Sequence, residues 1–386
     1  MSDAVLSPPA KKPTDTSALT KPEKTVAASG QWRLIWLRFR RHKLAFWSGI
    51  VVIAIYAVAL FSDFIAPTTA FSYSAQYTYA PPQMVRMFGQ DADGNRHLFY
   101  VHDYTVTVDP IALQRSFELD RETVIPLGFL VRGEPYRFWG LIPMEHRLFG
   151  PKEVGQPFYL FGADRLGRDV FSRTIHGTRV SMSIGLIGVA ISLVIGIILG
   201  GISGLAGGWV DEVIQRTIEF LKSIPTIPLW MGLAAAIPLN IHPLIVYFWI
   251  TVILSLIGWT DIARIVRGKF LSLKTEDFVT AARLDGCGQQ RIIWRHMVPS
   301  FMSHLIASTT LAIPAMILAE TMLSFLGIGL RPPVVSWGVL LKELQSILAV
   351  ANAPWLFLPG LAVIIAVLAL NFLGDGLRDA ADPYGR

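Results

Sequence analysis

The sequence predicts an all-α polytopic membrane protein with six transmembrane helices and a small β-containing insertion between the first two helices. Two observations support this fold class. Hydrophobic residues make up 52% of the 386 residues and charged residues only 16%, whereas soluble domains carry about 25% charged residues. The charge deficit also falls in long uncharged runs separated by polar stretches, which is the pattern of membrane spans.

Two segments precede the first span. Residues 1–30 are rich in Pro, Lys, Ser, Thr and Ala without apolar periodicity, and we expect a disordered cytoplasmic tail. In residues 31–43, apolar residues recur at i, i+3, i+4 and i+7 from Trp32 to Phe39, with arginines between them. This pattern predicts an amphipathic helix that lies on the membrane surface.

Six uncharged or nearly uncharged runs are long enough to cross a bilayer, which takes about 20 residues of helix. They cover residues 44–61 (44–66 with its flank), 180–210, 223–241, 243–260, 297–319 and 344–374, the last with its core at 355–373. Pro225, Pro228 and Pro238 interrupt the third run, so we expect a broken or tilted helix there. The last five runs predict a five-helix domain over residues 166–386.

Positively charged residues predict the orientation. Residues 1–43 carry nine Lys and Arg, residues 264–295 carry seven, and the turn 238–242 carries none. Because cytoplasmic loops are enriched in Lys and Arg, we expect both termini and the loop between spans four and five in the cytoplasm. Residues 62–179 carry twelve, but a segment this long crosses largely regardless of charge. We therefore expect residues 67–165 to form a periplasmic insertion.

The periplasmic insertion has strand-like sequence. Asp93 and Gly94 form a hairpin turn signal, and residues 97–108 mix Tyr, Val, Thr and Phe. Residues 124–130 and 136–142 are two further short strand candidates. A membrane-anchored enzyme or sensor would need a site in this insertion. Three histidines and two carboxylates are available, but their spacing requires no site: His97, His102, His146, Asp103 and Glu145.

Motifs for nucleotide, metal or nucleophilic chemistry do not occur in the sequence. It has no G-x-x-x-x-G-K-[ST] loop, no H-E-x-x-H pair, no G-x-S-x-G elbow and no metal-spaced Cys/His set. We therefore expect no enzyme activity and no catalytic, cofactor or metal residue on this chain. Basic residues cluster beside the spans, so nucleic acid is not an expected partner. The single cysteine, Cys287, excludes an intramolecular disulfide.

Two features of the spans predict packing and gating. Glycines repeat every four residues from Gly196 to Gly208 and line one helix face, which allows another helix to approach closely. Glu320 follows the fifth span, so we expect an interfacial carboxylate near the outer surface. The alternative is an outer gate that Glu320 forms with Ser324 and Phe325.

The loop between spans four and five, residues 264–299, carries the strongest functional signal. It predicts a short helix, a glycine break and a second helix that begins at the membrane. Ala281 and Ala282 are small enough for close docking to a partner, Gly286 permits a turn with φ > 0, and Pro299 suits the first turn of a helix. An ordinary amphipathic cytoplasmic loop is the alternative.

This loop resembles the E-A-A-x3-G-x9-I-x-L-P motif in the permease subunits of binding-protein-dependent ABC importers. Counted from Thr280, Gly286 and Pro299 fall at the offsets of the motif. The sequence departs from it at three positions, where Thr280 replaces Glu, His296 replaces Ile and Val298 replaces Leu.

Further stretches are similar to the oligopeptide/dipeptide permease family, and within it to the C-type of its two permease subunits. They are residues 42–45, 161–169 with 177–181, 323–330 and 374–383. Ala163 departs from the threonine that is usual in the second stretch. Residues 67–160 are longer than the usual outer loop and are not matched.

The resemblance implies the type I ABC importer permease fold and a location in the bacterial inner membrane. Besides the bilayer, it implies as partners a B-type permease subunit, two ATP-binding cassette ATPase subunits that hold ATP and Mg, and a periplasmic solute-binding protein. The coupling-loop residues that it implies are Thr280, Ala281, Ala282, Arg283, Asp285, Gly286 and Pro299. Peptide is the implied cargo. An oligosaccharide, an opine-like solute or nickel as cargo, and a channel, stay open as alternatives.

Overall fold

The computed structural model describes residues 31–90, 96–108, 110–111, 115–238 and 240–381. Within these residues the chain is mostly helical, with five helices long and apolar enough to cross a membrane and one four-stranded antiparallel sheet. The expected helical membrane fold with a small β region is thereby confirmed. The tail 1–30 and the turn signal at Asp93 and Gly94 lie outside the described residues.

The main helices, in chain order, are α1 (Gln31–Arg41), α2 (Lys43–Leu60), α3 (Val170–Ala206), α4 (Gly208–Ser223), α5 (Thr226–Ala235), α6 (Pro243–Leu273), α7 (Asp277–Leu284), α8 (Met302–Phe325) and α9 (Leu358–Ala381). The five long apolar helices are α2, α3, α6, α8 and α9. Short helical turns connect them at Ser62–Ile65, Ala75–Tyr77, Gln289–Arg291, Ile292–Met297, Val298–Ser300, Trp337–Leu341, Lys342–Gln345, Ile347–Asn352 and Pro354–Phe357.

The third predicted span is not one membrane-crossing helix. α4 ends at Ser223, and α5 has 10 residues, which rise only about 15 Å against a hydrocarbon core of about 30 Å. Pro225 lies between the two helices, and its carbonyl accepts from the Leu229 N–H at the start of α5. Because proline has no N–H to continue the α4 ladder, α4 ends before Pro225, and the described part of the apolar run 223–241 contains the short helix α5.

Two other helix ends differ from the expected span limits. α3 ends at Ala206 rather than at residue 210, because Gly207 and Gly208 have positive φ of 63° and 53°. α6 continues to Leu273, well beyond residue 260. Charge content marks how much of a helix can lie in lipid, whereas the backbone ladder continues until a capping signal ends it.

The glycine face of α3 packs against α6, as its spacing predicts. A Cβ at Gly200 would lie 2.4 Å from the carbonyl oxygen of Ala263, and one at Gly204 would lie 2.7 Å from the Phe270 side chain. Side chains at these positions would hold the two helices apart. Gly208, the last glycine of the predicted series, is an exception, because it lies beyond the end of α3 with nothing within 4 Å of its would-be Cβ.

The bundle has two distinct ends. The loop end carries residues 274–301 between α6 and α8, together with α1, whose buried Phe39 packs on Ala45 and Ala380. The sheet end carries the four strands, which reach back to the last residue of α2, where the Leu60 carbonyl accepts from the Trp139 indole at 2.9 Å.

The sheet is an antiparallel meander of β1 (Arg86–Gln90), β2 (Arg96–Val108), β3 (Arg115–Phe138) and β4 (Ile142–Pro151). The expected strand 97–108 corresponds to β2, and 124–130 lies within the longer β3. The expected strand 136–142 is wrong. Residues 139–141 form the β3–β4 turn, with positive φ of 55° at Trp139 and 73° at Gly140. The apolar composition there is typical of a strand, but the left-handed backbone reverses the chain.

Candidate functional site

The helix α7 is held against α6 and α8 by its buried face. Val279 and Ala282 lie in an apolar cluster with Phe270, Ile292 and Phe301. The rings of Phe270 and Phe301 meet edge to face, with centroids 5.8 Å apart. The cluster therefore joins α7 to the ends of both long helices through close-packed side chains.

The opposite face of α7 is exposed. Thr280, Ala281 and Arg283 are open to solvent, and Leu284 is 84% exposed. The expectation that both adjacent alanines meet a partner is wrong for Ala282, which is 5% exposed and packs inside the chain. With 3.6 residues per turn, successive residues point about 100° apart, so two neighbouring alanines cannot share one face.

A glycine turn ends α7. Gly286 has a φ of 74°, its N–H donates to the Arg283 carbonyl, and the Cys287 N–H donates to the Ala282 carbonyl. These two bonds form a Schellman motif with Asp285 as C-cap, which satisfies the last carbonyls of the helix. No atom lies within 4 Å of a Cβ built on Gly286. The requirement for glycine is therefore conformational rather than steric.

Pro299 lies three residues before the start of α8. It lies in the turn Val298–Ser300, directly after the π-helical turn Ile292–Met297. The Val298 N–H donates to the carbonyl of Ile293, five residues earlier, which is the π-helical pattern. The chain is helical without a break from Gln289 to Ser300. Pro299 therefore lies near the end of that stretch rather than in the first turn of a helix, and α8 begins only at Met302.

An ion pair links α4 to α6 near the coupling loop. Arg267 donates from Nε and Nη2 to the two carboxylate oxygens of Asp211, at 2.6 and 2.5 Å, and the Ser203 hydroxyl donates to the same carboxylate. The hydrogen bonds from Arg267 hold the pKa of Asp211 below its usual range. No local sequence pattern indicates this pair, because its two members lie on different helices.

At the sheet end, Glu320 is enclosed by protein. Its Oε1 accepts from the hydroxyls of Ser336 at 2.7 Å and Ser324 at 2.8 Å, and its Oε2 accepts from Ser181 at 3.2 Å. The expectation of an interfacial carboxylate is wrong, since the side chain is 0% exposed. α8 continues past Glu320, and α3 covers it. Ser324 donates to Glu320, whereas the Phe325 carbonyl bonds elsewhere and accepts from the Gln345 amide at 2.7 Å.

The three serines connect Glu320 to backbone as well. Ser181 Oγ accepts from the Trp337 N–H, Ser324 Oγ from the Leu330 N–H, and Ser336 Oγ from the Val339 N–H. A buried carboxylate is costly unless such partners satisfy it. We refer to Glu320, Ser181, Ser324 and Ser336 as the Glu320 network. It fixes the chain that follows α8 against α3.

The stretch 161–169 forms the turn that starts α3. Asp164 accepts from the backbone of Leu166 and Arg168 at 2.8 and 3.0 Å, from Arg168 Nε at 2.7 Å, and from the guanidinium of Arg173. Asp169 caps α3 through the second and third N–H groups of the helix. Burial raises the pKa of Asp169 to about 6.

The five polar side chains of the insertion do not converge on a site. The Tyr77 hydroxyl donates to Asp103, and Glu145 pairs with Arg132 at 2.6 Å. In the ranges described above, no group of three or more His, Cys, Asp or Glu residues could hold a metal ion.

Two family models match the chain. One, described as a binding-protein-dependent transport system inner membrane component, matches residues 192–384, and the other, the N-terminal TM domain of oligopeptide transport permease C, matches residues 30–82. A chain of the MetNI methionine ABC transporter aligns with 55% of this chain and 97% of its own length, at a TM-score of 0.43 and 17% identity. That alignment is too weak to add to the assignment.

Similar proteins carry permease names. The oligopeptide transport system permease protein OppC of Bacillus subtilis is 38% identical over 58% of this chain and 71% of its own length. OppC of Haemophilus influenzae is 39% identical over 59% and 71%, and the dipeptide transport system permease protein DppC of Bacillus subtilis is 38% identical over 58% and 68%. With the matched domains and the membrane helices, these similarities show that this chain belongs to the family of binding-protein-dependent transport system inner membrane components.

Proposed function

We propose that this chain is the C-type permease subunit of an ATP-driven peptide importer, and that it forms half of the translocation pathway. The observation that carries the proposal is the coupling loop, in which an exposed helix face is fixed by Val279 and Ala282 to the ends of α6 and α8. Peptide as cargo is supported by the names of the oligopeptide and dipeptide permeases that the chain resembles.

The proposed assembly contains a B-type permease subunit, two ATPase subunits that hold ATP and Mg, and a solute-binding protein. Affinity purification of the tagged chain from native membranes in mild detergent tests it, with the co-purifying proteins identified by mass. An ATPase pair and a second permease are expected. Recovery of the chain alone in several mild detergents would argue against ATP-driven transport.

We place the loop end in the cytoplasm and the sheet in the periplasm. Lys and Arg are concentrated in residues 1–43 and 264–295, and both segments belong to the loop end, as positively charged cytoplasmic flanks do. Labelling an introduced cysteine with a membrane-impermeant maleimide in whole cells tests this, in a Cys287→Ser background. A cysteine at exposed Leu284 should react only after the membrane is opened, and one at exposed Met84 should react at once.

Coupling would work as a rigid-body movement. ATP binding draws the ATPases together and displaces α7. The displacement passes through the cluster of Val279, Phe270 and Phe301 to α6 and α8, which rock against the partner subunit. The Glu320 network at the other end of α8 then moves with that helix.

Replacement of Gly286 by Val tests the coupling assignment. Left-handed backbone costs a non-glycine residue about 1–2 kcal/mol, and a β-branched side chain is among the least tolerant. We expect substrate-stimulated ATPase activity of the assembled complex to fall strongly. Gly288→Val is the matched control, because Gly288 lies in the same loop without positive φ and with open space around it. Unchanged stimulation in Gly286→Val would refute the assignment.

Uptake into proteoliposomes tests the cargo. The complex with its binding protein should accumulate a labelled oligopeptide, and an excess of unlabelled peptide should compete. Accumulation of nickel or an oligosaccharide without peptide uptake would refute peptide as the cargo while leaving the coupling proposal intact.

A further inference from the structure

The turn between β3 and β4 contacts the C-terminal end of α2. The Trp139 indole donates to the Leu60 carbonyl at 2.9 Å, and its backbone N–H donates to Asp63 at 3.2 Å. The neighbouring Phe138 ring stacks on Phe61, with centroids 6.2 Å apart. These contacts set the level of the turn along the bundle, because Leu60 is the last residue of an apolar membrane helix.

Charged residues mark the same level on α3. Arg179 pairs with Asp63 at 2.8 Å, donates to the Ala59 carbonyl at 3.2 Å and lies 5.1 Å from the centre of a Trp139 ring. From residue 180 to the end of α3 the sequence has no charge. Because charges avoid the hydrocarbon core, the Arg179–Asp63 pair marks the boundary between the core and the headgroups.

The turn itself is apolar and exposed. Leu141 is 81% exposed and Ile142 57%, whereas turns usually expose Gly, Asn, Asp and Ser. The turn is joined to the end of α2 through Trp139 and the Leu60 carbonyl. α2 itself exposes apolar side chains, among them Leu60 and Ile53, which lie seven residues apart and therefore on one helix face. Tryptophan is enriched at the headgroup level of membrane proteins, which is the level that Trp139 occupies.

We propose that the β3–β4 turn is a membrane anchor, with Leu141 and Ile142 inserted between the lipids of the leaflet at the sheet end and Trp139 among the headgroups. The backbone allows this, because the Gly140 and Leu141 N–H groups donate to the carbonyls of Arg137 and Phe138 within the turn. The occupant of this apolar surface is lipid, since the turn contacts the C-terminal end of α2, a helix long and apolar enough to cross a membrane. The anchor fixes the sheet relative to the bilayer, and it does not depend on the cargo.

Nitroxide accessibility tests the anchor in the full chain, reconstituted in liposomes with its co-purifying subunits. In a Cys287→Ser background, a single spin label at Leu141→Cys or Ile142→Cys is exposed to oxygen, which concentrates in lipid, or to a water-soluble nickel chelate. Ile53→Cys, in the middle of α2, is the lipid reference.

Phe129→Cys is the matched control. This 71% exposed aromatic pairs with Phe149 of β4, whereas Phe138 at the turn pairs with Ile142. These two partners are seven residues apart along β4, which corresponds to about 24 Å at the extended rise of about 3.4 Å per residue.

We expect the oxygen-to-nickel collision ratio at positions 141 and 142 to be several-fold higher than at 129 and lower than at 53. A ratio equal to that at position 129 would place the turn in water and overturn the proposal. Low collision rates with both reagents would also overturn it, because they would mean that a second protein subunit covers the turn.

Discussion

Replacement of Gly200 by Ala tests how closely α3 and α6 pack. The new Cβ would lie 2.4 Å from the Ala263 carbonyl oxygen and 2.9 Å from the Ala263 Cα. Both atoms belong to the backbone, so no side-chain rotation relieves the clash and the helices must separate. Overpacking of this kind costs about 1–3 kcal/mol, and at about 2–4 °C per kcal/mol the apparent unfolding midpoint should fall by several degrees.

Gly268→Ala in α6 is the matched control for this prediction. Gly268 lies in the same helix pair, but its would-be Cβ meets nothing within 4 Å. Alanine in an exposed helix position should therefore stabilise the protein by about 0.5–1 kcal/mol. The assay heats detergent-purified protein and measures the monodisperse fraction by size-exclusion chromatography. Equal midpoints for Gly200→Ala and Gly268→Ala would refute the close-packing argument.

Three further predictions concern polar groups. Asp211→Ala should destabilise the chain by about 1–3 kcal/mol, because it leaves Arg267 unpaired, whereas Lys222→Ala, at the exposed pair with Asp261, should cost less than about 1 kcal/mol; equal thermal midpoints would contradict this. Glu320→Ala should lower the midpoint more than Glu320→Gln, whose amide oxygen still accepts hydrogen bonds. Burial raises the pKa of Asp169 to about 6 in the folded protein, so the folded state binds the extra proton. Stability should therefore fall as pH rises from about 4 to 6, and Asp169→Asn should flatten that part of the thermal profile.

Local signals made the coupling loop predictable. The Schellman bonds at Gly286 join residues three and five positions apart, so a glycine after a short helix is enough to predict the turn. Pro299 was harder to place, because the chain from Gln289 to Ser300 is helical without a break and no local signal indicates that α8 begins only at Met302. Which face of α7 is buried was harder to predict, because the burial of Ala282 depends on Phe270 and Phe301 in other segments.

The Glu320 network could not be predicted, because its members are distant in sequence. Ser181 lies 139 residues from Glu320 and Ser336 lies 16 residues away, and no periodicity connects them. The prediction of a strand across the β3–β4 turn failed for the opposite reason. Its local composition of Phe, Trp, Leu and Ile is typical of a strand, but the left-handed φ of Trp139 and Gly140 reverses the chain.

The sequence by itself determined the membrane class, five of the six expected spans, the interruption of the third apolar run at its prolines, the position of the β insertion and the turn after α7. Each of these follows from hydropathy, charge or capping summed along a few dozen neighbouring residues. Only the tertiary structure decided that Glu320 is buried and that the β3–β4 turn lies beside Leu60. These outcomes depend on which distant side chains meet, and the energy of such contacts is not encoded in any single segment.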